Sequence, residues 1–190
     1  MVRSPEKFDL QHDNLSVIQG DFSNGDAIQE TVRGTTYVIC TGGGPHNSRQ
    51  YEKGFMERFV REQLWPAVLA NAESSPPKAL LFQAGALSKV SKLPNFSQLL
   101  IAPLMGLRPM ALDNDAVMRF IDSNPLKGTK VIVTRPGALI NGKGGSDLRA
   151  SCMANTIPLT YADLGRFNVQ TVSDEEFGMK YPYVCLKNGF

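Results

Sequence analysis

The residues of this chain best suited to chemistry are small ones that follow short apolar runs. Gly20-Asp21-Phe22 follows the run 15–19, and Thr41-Gly42-Gly43-Gly44 follows 36–40. Ala84-Gly85-Ala86 follows 79–83, and Arg135-Pro136-Gly137 follows 130–134. Consecutive glycines let a backbone come close to a ribose or a pyrophosphate because no Cβ intervenes, and they equally make a plain flexible turn. Asp21 can accept a hydrogen bond from an amino group while Phe22 covers a flat ring such as adenine, or Asp21 caps the helix after it. Pro136 sets the chain direction and Gly137 admits the close approach of a flat ring. Arg135 beside them reads first as a buried, paired structural cation and second as a ligand contact.

Other chemistries lack their residues. His12 and His46 are the only histidines and have no spaced Cys or carboxylate partners, which argues against a metal site. No G-x-S-x-G elbow is present, so hydrolase chemistry of that type has no nucleophile. Gly142-Lys143-Gly144-Gly145-Ser146 departs from the G-x-x-x-x-G-K-[ST] phosphate loop and reads as an ordinary loop. Asp113-Asn114-Asp115 reads as the cap of the helix it opens. A formal charge of +2, with Lys and Arg dispersed, implies neither a nucleic-acid nor a membrane partner. No run reaches the roughly 20 apolar residues of a membrane span, and Met1–Leu10 has no signal-peptide core. Cys40, Cys152 and Cys185 have no paired spacing and read as reduced thiols, with Cys40 a buried small hydrophobe. Together these features suit a cytoplasmic protein.

The elements that must position the strand-end loops follow from periodicity. The runs 15–19, 36–40, 79–83 and 130–134 are short and apolar, as strands buried on both faces are, and helical patterns separate them. The spacing predicts a helix from residue 24 or 25 to Val32 with Gly34 left-handed at its end. It also predicts a long helix over 52–72 interrupted near Trp65 by Pro66, helices over 113–123 and 161–169, and a final strand over 183–186. The stretch 87–109, broken by three prolines and a glycine, reads as a lid or pocket insertion, or as a packed loop with a short helix. A chain of 190 residues fits a single domain, 1–190, that buries roughly 70% of its unfolded surface. The fold class expected is α/β, a Rossmann-like parallel sheet with helices on both faces. Ligands of such sheets sit beyond the carboxyl ends of the strands.

Taken in order, Val2-Arg3-Ser4-Pro5, the run Val17 to Phe22, the run Tyr37 to Gly43, the run Val131 to Leu139 and the run Tyr161 to Phe167 resemble the atypical short-chain dehydrogenase/reductases. The nearest branch is that of NAD(P)H-binding proteins grouped with flavin and biliverdin reductases and NmrA-like regulators. The resemblance implies NADP as cofactor, with Arg3 facing the 2′-phosphate, and Asp21 and Phe22 flanking adenine. It further implies that Thr41, Gly42 and Gly43 line the ribose and nicotinamide path, with Ala84, Gly85, Ala86, Pro136 and Gly137 near the nicotinamide. Members of the family open with a strand and a glycine-rich loop that holds the pyrophosphate. Here no G-x-G-x-x-G opens the chain, and about 20 to 30 residues, a first strand-helix unit, are expected to be missing. Tyr183 alone has a lysine four residues on, Lys187, but the pair falls in the expected final strand 183–186 rather than in a helix, and Gln83-Ala84 stands where a serine is usual. The expected function is an NADP-binding reductase-like domain that, if active, moves hydride from NADPH to a small flat acceptor. A non-catalytic dinucleotide sensor or scaffold, or a truncated product without independent activity, stays open beside it.

Overall fold

The computed structural model describes residues 1–44, 51–72, 75–89, 100–154 and 157–187. His46, Pro45 and positions 90–99 of the proline-broken insertion lie outside the described residues. The order is α1 (Gly25–Val32), β1 (Tyr37–Cys40), α2 (Phe55–Phe59), α3 (Trp65–Ala72), β2 (Ala79–Gln83), α4 (Ala102–Leu104) and α5 (Arg108–Ser123). There follow β3 (Lys130–Pro136), β4 (Leu139–Ile140), β5 (Leu148–Ser151), β6 (Leu159–Thr160), α6 (Tyr161–Ser173) and β7 (Tyr183–Leu186).

The main sheet has the order β1-β2-β3-β7-β5, parallel throughout except for the antiparallel β5–β7 pair. β4 and β6 form a separate two-stranded parallel pair. Successive side chains of a strand face opposite sides, and the core divides accordingly. Leu80, Phe82 and Val133 pack with Val60, Leu64, Trp65, Val68, Val117, Met118 and Ile121 from α3, α5 and the turn before α3. Leu81 and Ile132 pack on the other face with Val172 of α6. β2 is buried on both faces and paired on both edges, which explains its uninterrupted apolar run.

Two expectations are corrected and one is made more specific. The run 15–19 forms no extended strand; Gln19 makes one parallel bridge to Val2, with the Gly20 amide donating to the Val2 carbonyl at 3.0 Å. Its polar Ser16 and Gln19 and its exposed Leu15 and Val17 leave it no buried face to hold. The long helix 52–72 is interrupted, but by a π-helical turn, Val60–Leu64, immediately before Trp65-Pro66. Proline has no amide and crowds the preceding turn, and the wider π turn relieves both effects. The second correction concerns Asp113. α5 starts at Arg108 with Pro109 in its first turn, so Asp113 is internal and buried rather than a cap of its own helix.

Asp113 instead closes the start of α2. Its Oδ2 accepts from the Met56 amide at 2.8 Å and its Oδ1 from the Glu57 amide at 3.0 Å, while the Tyr51 hydroxyl donates to Oδ2 at 2.6 Å. First-turn amides have no partner within their own helix, and a carboxylate there also meets the positive end of the helix dipole. Gly34, at φ +67°, ends α1 in the left-handed conformation as expected, its amide donating to Asn71 Oδ1 at 3.2 Å. Asp113→Ala should cost about 2–4 kcal/mol, because three donors lose their acceptor in a buried site. Urea denaturation of the variant against the parent chain measures this, and a loss under 1 kcal/mol would contradict the assignment.

Candidate active site at the strand ends

Because β1, β2 and β3 run parallel, their carboxyl ends emerge on one side of the sheet. Residue pairs Cys40–Phe82 and Phe82–Val133 lie level across the three strands, as do Gln83 and Thr134. Thr41, Gly42 and Gly43 therefore leave β1 beside Ala84, Gly85 and Ala86 leaving β2. The pairing of β2 with β3 continues past Gln83: the Ala84 amide donates to the Thr134 carbonyl at 2.9 Å and the Ala86 amide to the Pro136 carbonyl at 2.8 Å. Gly137 follows at the same edge. Eight of the eleven candidate residues thus follow three adjacent strand ends, and Phe22 packs on one of them, at Gly42.

The glycines in that crevice have different reasons to be there. A Cβ on Gly42 would lie 2.2 Å from Phe22 Cζ, so Gly42 makes room for that ring. Gly44 does the same for Tyr51, whose ring carbon would lie 2.5 Å away. Gly43 and Gly85 meet nothing within 4 Å. These two present bare backbone to open space, as the ribose- and nicotinamide-facing positions of a dinucleotide site require.

Arg3, Asp21 and Phe22 come from the turn region before α1. Arg3 and Asp21 are exposed. Asp21 accepts from the Ser23 hydroxyl at 2.6 Å and from the Ser23 amide at 2.9 Å. These bonds, with the charge of Arg3 a smaller cause, hold its carboxyl below the usual aspartate range. The cap of α1 is Asn24, which accepts from the Ala27 amide at 3.1 Å, so Asp21 does not do that work. The Phe22 ring lies 4.2 Å from that of Phe59 and 5.8 Å from that of Phe55.

Arg135 is a structural cation. It is buried, donates from Nη1 to the Ser88 carbonyl at 3.2 Å and from Nη2 to the Tyr181 carbonyl, and sits 3.7 Å over the Tyr183 ring. Tyr51 and Tyr181 donate to Asp113 and Asp122 respectively, each at 2.6 Å. Burial first, and then those carboxylates, push both phenols above the ordinary tyrosine value. That is the reverse of what a proton-donating tyrosine needs. Burial also pushes the Cys40 thiol up to about 12, so it is no nucleophile. The loop 142–146 is held by protein: Asp163 Oδ1 accepts from the Gly145 amide at 2.8 Å and the Ser146 amide at 3.2 Å.

Sequence reasoning passed over one contact at this edge. Asn168 of α6 donates from Nδ2 to Gln83 Oε1 at 3.1 Å. Nothing in the spacing of two residues so far apart signals it. Among the described residues no cluster of His, Cys, Asp and Glu could hold a metal. A cavity of about 290 Å³ lies elsewhere, between the amino end of β3 and Phe177–Lys180. It receives none of the strand-end loops, and the strand ends remain the better candidate. Among the described residues no helix is long and apolar enough to cross a membrane.

Comparison with known proteins matches residues 1–174 to the family described as NAD(P)H-binding. No curated protein matches the chain. A short-chain dehydrogenase/reductase from Veillonella parvula in complex with NADP superposes with a TM-score of 0.58 at 15% identity, over 95% of this chain and 75% of that one. A Rossmann-fold NAD(P)-binding family protein from Shigella flexneri gives 0.57 at 15% identity, over 98% and 78%. An oxidoreductase from Lactococcus lactis gives 0.60 at 13% identity, over 93% and 74%. At these identities the likeness establishes a shared fold.

The glycines separate packing from binding. Gly42→Ala should cost about 1–3 kcal/mol through its clash with Phe22, whereas Gly43→Ala and Gly85→Ala should leave the melting temperature nearly unchanged and weaken dinucleotide binding. Thermal melts paired with ligand titrations read both effects. Undiminished binding in the two latter variants would remove their backbone from the site.

Proposed function

The chain belongs to the NAD(P)H-binding family, and from that premise we propose that it binds NADP across the carboxyl ends of β1, β2 and β3 and delivers hydride to a small flat acceptor. The observation that carries this reading is the pair of open glycines, Gly43 and Gly85, on adjacent strand ends. When bound, the cofactor supplies the hydride; the protein supplies position and electrostatics. Gly43, Gly85 and Gly137 let the backbone approach the ribose and the nicotinamide ring. Arg3 pairs with the 2′-phosphate, a role that suits a guanidinium. Asp21, kept ionised by Ser23, accepts from the adenine amino group. Residues 1–190 act as one domain, and the protein works in the cytoplasm.

The acceptor class follows from what the tyrosines do. Alcohol oxidation by the usual short-chain dehydrogenase route needs a phenol whose proton is loosened by a neighbouring lysine. Tyr51 and Tyr181 are held in the opposite sense by burial and by Asp113 and Asp122, and Tyr183, in extended β7, stands about 13 Å along the strand from Lys187. A flavin-like or quinone-like acceptor fits better, because solvent can return the proton after hydride has moved. The same observation supports a sensing role without turnover, in which dinucleotide binding is itself the signal.

Direct titration with NADPH tests the reading, and absence of binding would sink it. Arg3→Ala should weaken NADP about tenfold, the loss of roughly one charged hydrogen bond at an exposed site, and leave NAD unchanged. Equal losses for both would take Arg3 out of the phosphate position. No turnover of simple secondary alcohols is expected, and at most slow NADPH-dependent reduction of flat aromatic acceptors. A clear alcohol dehydrogenase rate, abolished by Phe at one of Tyr37, Tyr51, Tyr161, Tyr181 or Tyr183, would overturn the acceptor assignment.

A further inference from the structure

Gln83 ends β2 on the sheet face opposite to Phe82, the face covered by α6. Thr134 is its register partner on β3. Thr41, one residue past the Cys40–Phe82 pair, stands on its other side. Gln83 and Thr134 thus form a polar pair across two strands, at the level where the strand-end loops begin, with Thr41 leaving the end of β1 beside them. Each neighbour below them on this face is apolar: Ile39, Leu81 and Ile132. A carboxamide and a hydroxyl that replace an apolar layer call for polar partners of their own.

α6 supplies only part of that requirement. Asn168, 1% exposed, donates to Gln83 Oε1 at 3.1 Å. Asn168 Oδ1 and Thr134 Oγ1 are both buried without a hydrogen-bond partner. A carboxamide carries one acceptor oxygen and one donor NH2 group. Once a single N–H···O bond joins two of them, one donor and one acceptor are left over. Turning both amides over exchanges the roles and leaves the same remainder. Gln83 is half-buried, so part of that remainder reaches the crevice.

The remaining groups carry no charge. Thr41, Gln83, Thr134 and Asn168 are all neutral, and the nearby cation Arg135 is engaged through Nη1 and Nη2 by the carbonyls of Ser88 and Tyr181, its Nε being buried without a partner. A phosphate or a carboxylate would find donors without compensation there. Of that remainder the Gln83 amide group is the part that reaches solvent, and a primary carboxamide can meet it in either orientation, as acceptor or as donor. We propose that Gln83, oriented by Asn168, reads the carboxamide of the nicotinamide end of the dinucleotide. Gln83 makes the contact; Asn168 is a positioning residue. This rests on the dinucleotide reading of the strand-end crevice, and assigns to its nicotinamide end a residue that lies outside the glycine loops.

The test compares NADP with 2′-phospho-ADP-ribose, which keeps the adenine, both riboses and all the phosphates but lacks the nicotinamide. Calorimetric titration of the full chain should show NADP bound about tenfold more tightly, the equivalent of one to two net hydrogen bonds. Gln83→Leu and the near-isosteric Gln83→Glu, which loses the NH2 donor, should bring that ratio close to one by weakening NADP alone. Asn168→Asp should reduce it as well. If Gln83→Leu fails to fold, as a thermal melt would show, Gln83→Glu decides. A ratio near one in the parent chain, an unchanged ratio in the variants, or parallel weakening of both ligands overturns the role of Gln83 and leaves the dinucleotide site standing. Binding of neither ligand by the parent chain overturns both.

Discussion

The register of β2 between β1 and β3 is the constraint on which the rest of the molecule depends. Phe82 lies level with Cys40 on one side and Val133 on the other, and this single alignment sets three strand ends at one height. A slip of one residue would turn Phe82 and Leu81 to the wrong faces and move Gln83 into the packed side. Burial makes that slip costly: Leu80, Leu81 and Phe82 are all 0% exposed, and burying each such side chain contributes about 1.5–3 kcal/mol. The apolar core therefore determines where the polar loops are. Their geometry is a by-product of how β2 is packed.

Buried charges then fix the elements around the sheet to one another. Asp113 joins α5 to α2 and to Tyr51, and Asp115 accepts from the Lys89 amide at 2.7 Å, joining α5 to the loop after β2. Arg135 joins β3 to that same loop and to the segment before β7. Each of these groups is compensated by donors or acceptors from another element, which is how ionisable side chains persist in a core. The crevice is framed by elements that are locked together by such contacts on two sides.

Much of this was legible in the sequence, and the reasons are local. β2 and β3 announce themselves because a strand buried on both faces has to be a continuous apolar run. α1 is readable from Gly34, and the break before Pro66 from proline chemistry. The run 15–19 misleads because it has strand composition yet no sheet face to cover. Asp113-Asn114-Asp115 misleads because capping residues look alike wherever they stand; only Arg108-Pro109 upstream marks the true start of α5. At the candidate site, the loops at Thr41–Gly43, Ala84–Ala86 and Pro136-Gly137 follow from strand ends and are visible as such. The packing of Phe22 against Gly42 and the Gln83–Asn168 bond join residues far apart in sequence, and no local pattern encodes them.

The separation of the aligned strands has a kinetic consequence. Tyr37 pairs with Ala79, and Ala79 with Lys130, so each contact closes a long loop before any pairing energy is returned. Parallel pairings of this kind form late and slowly compared with helices. On a ribosome β1 emerges first and waits, its apolar side chains exposed and its backbone unpaired, until β2 and then β3 follow. A dinucleotide held across the three strand ends, as proposed, would by mass action act as a brake on unfolding.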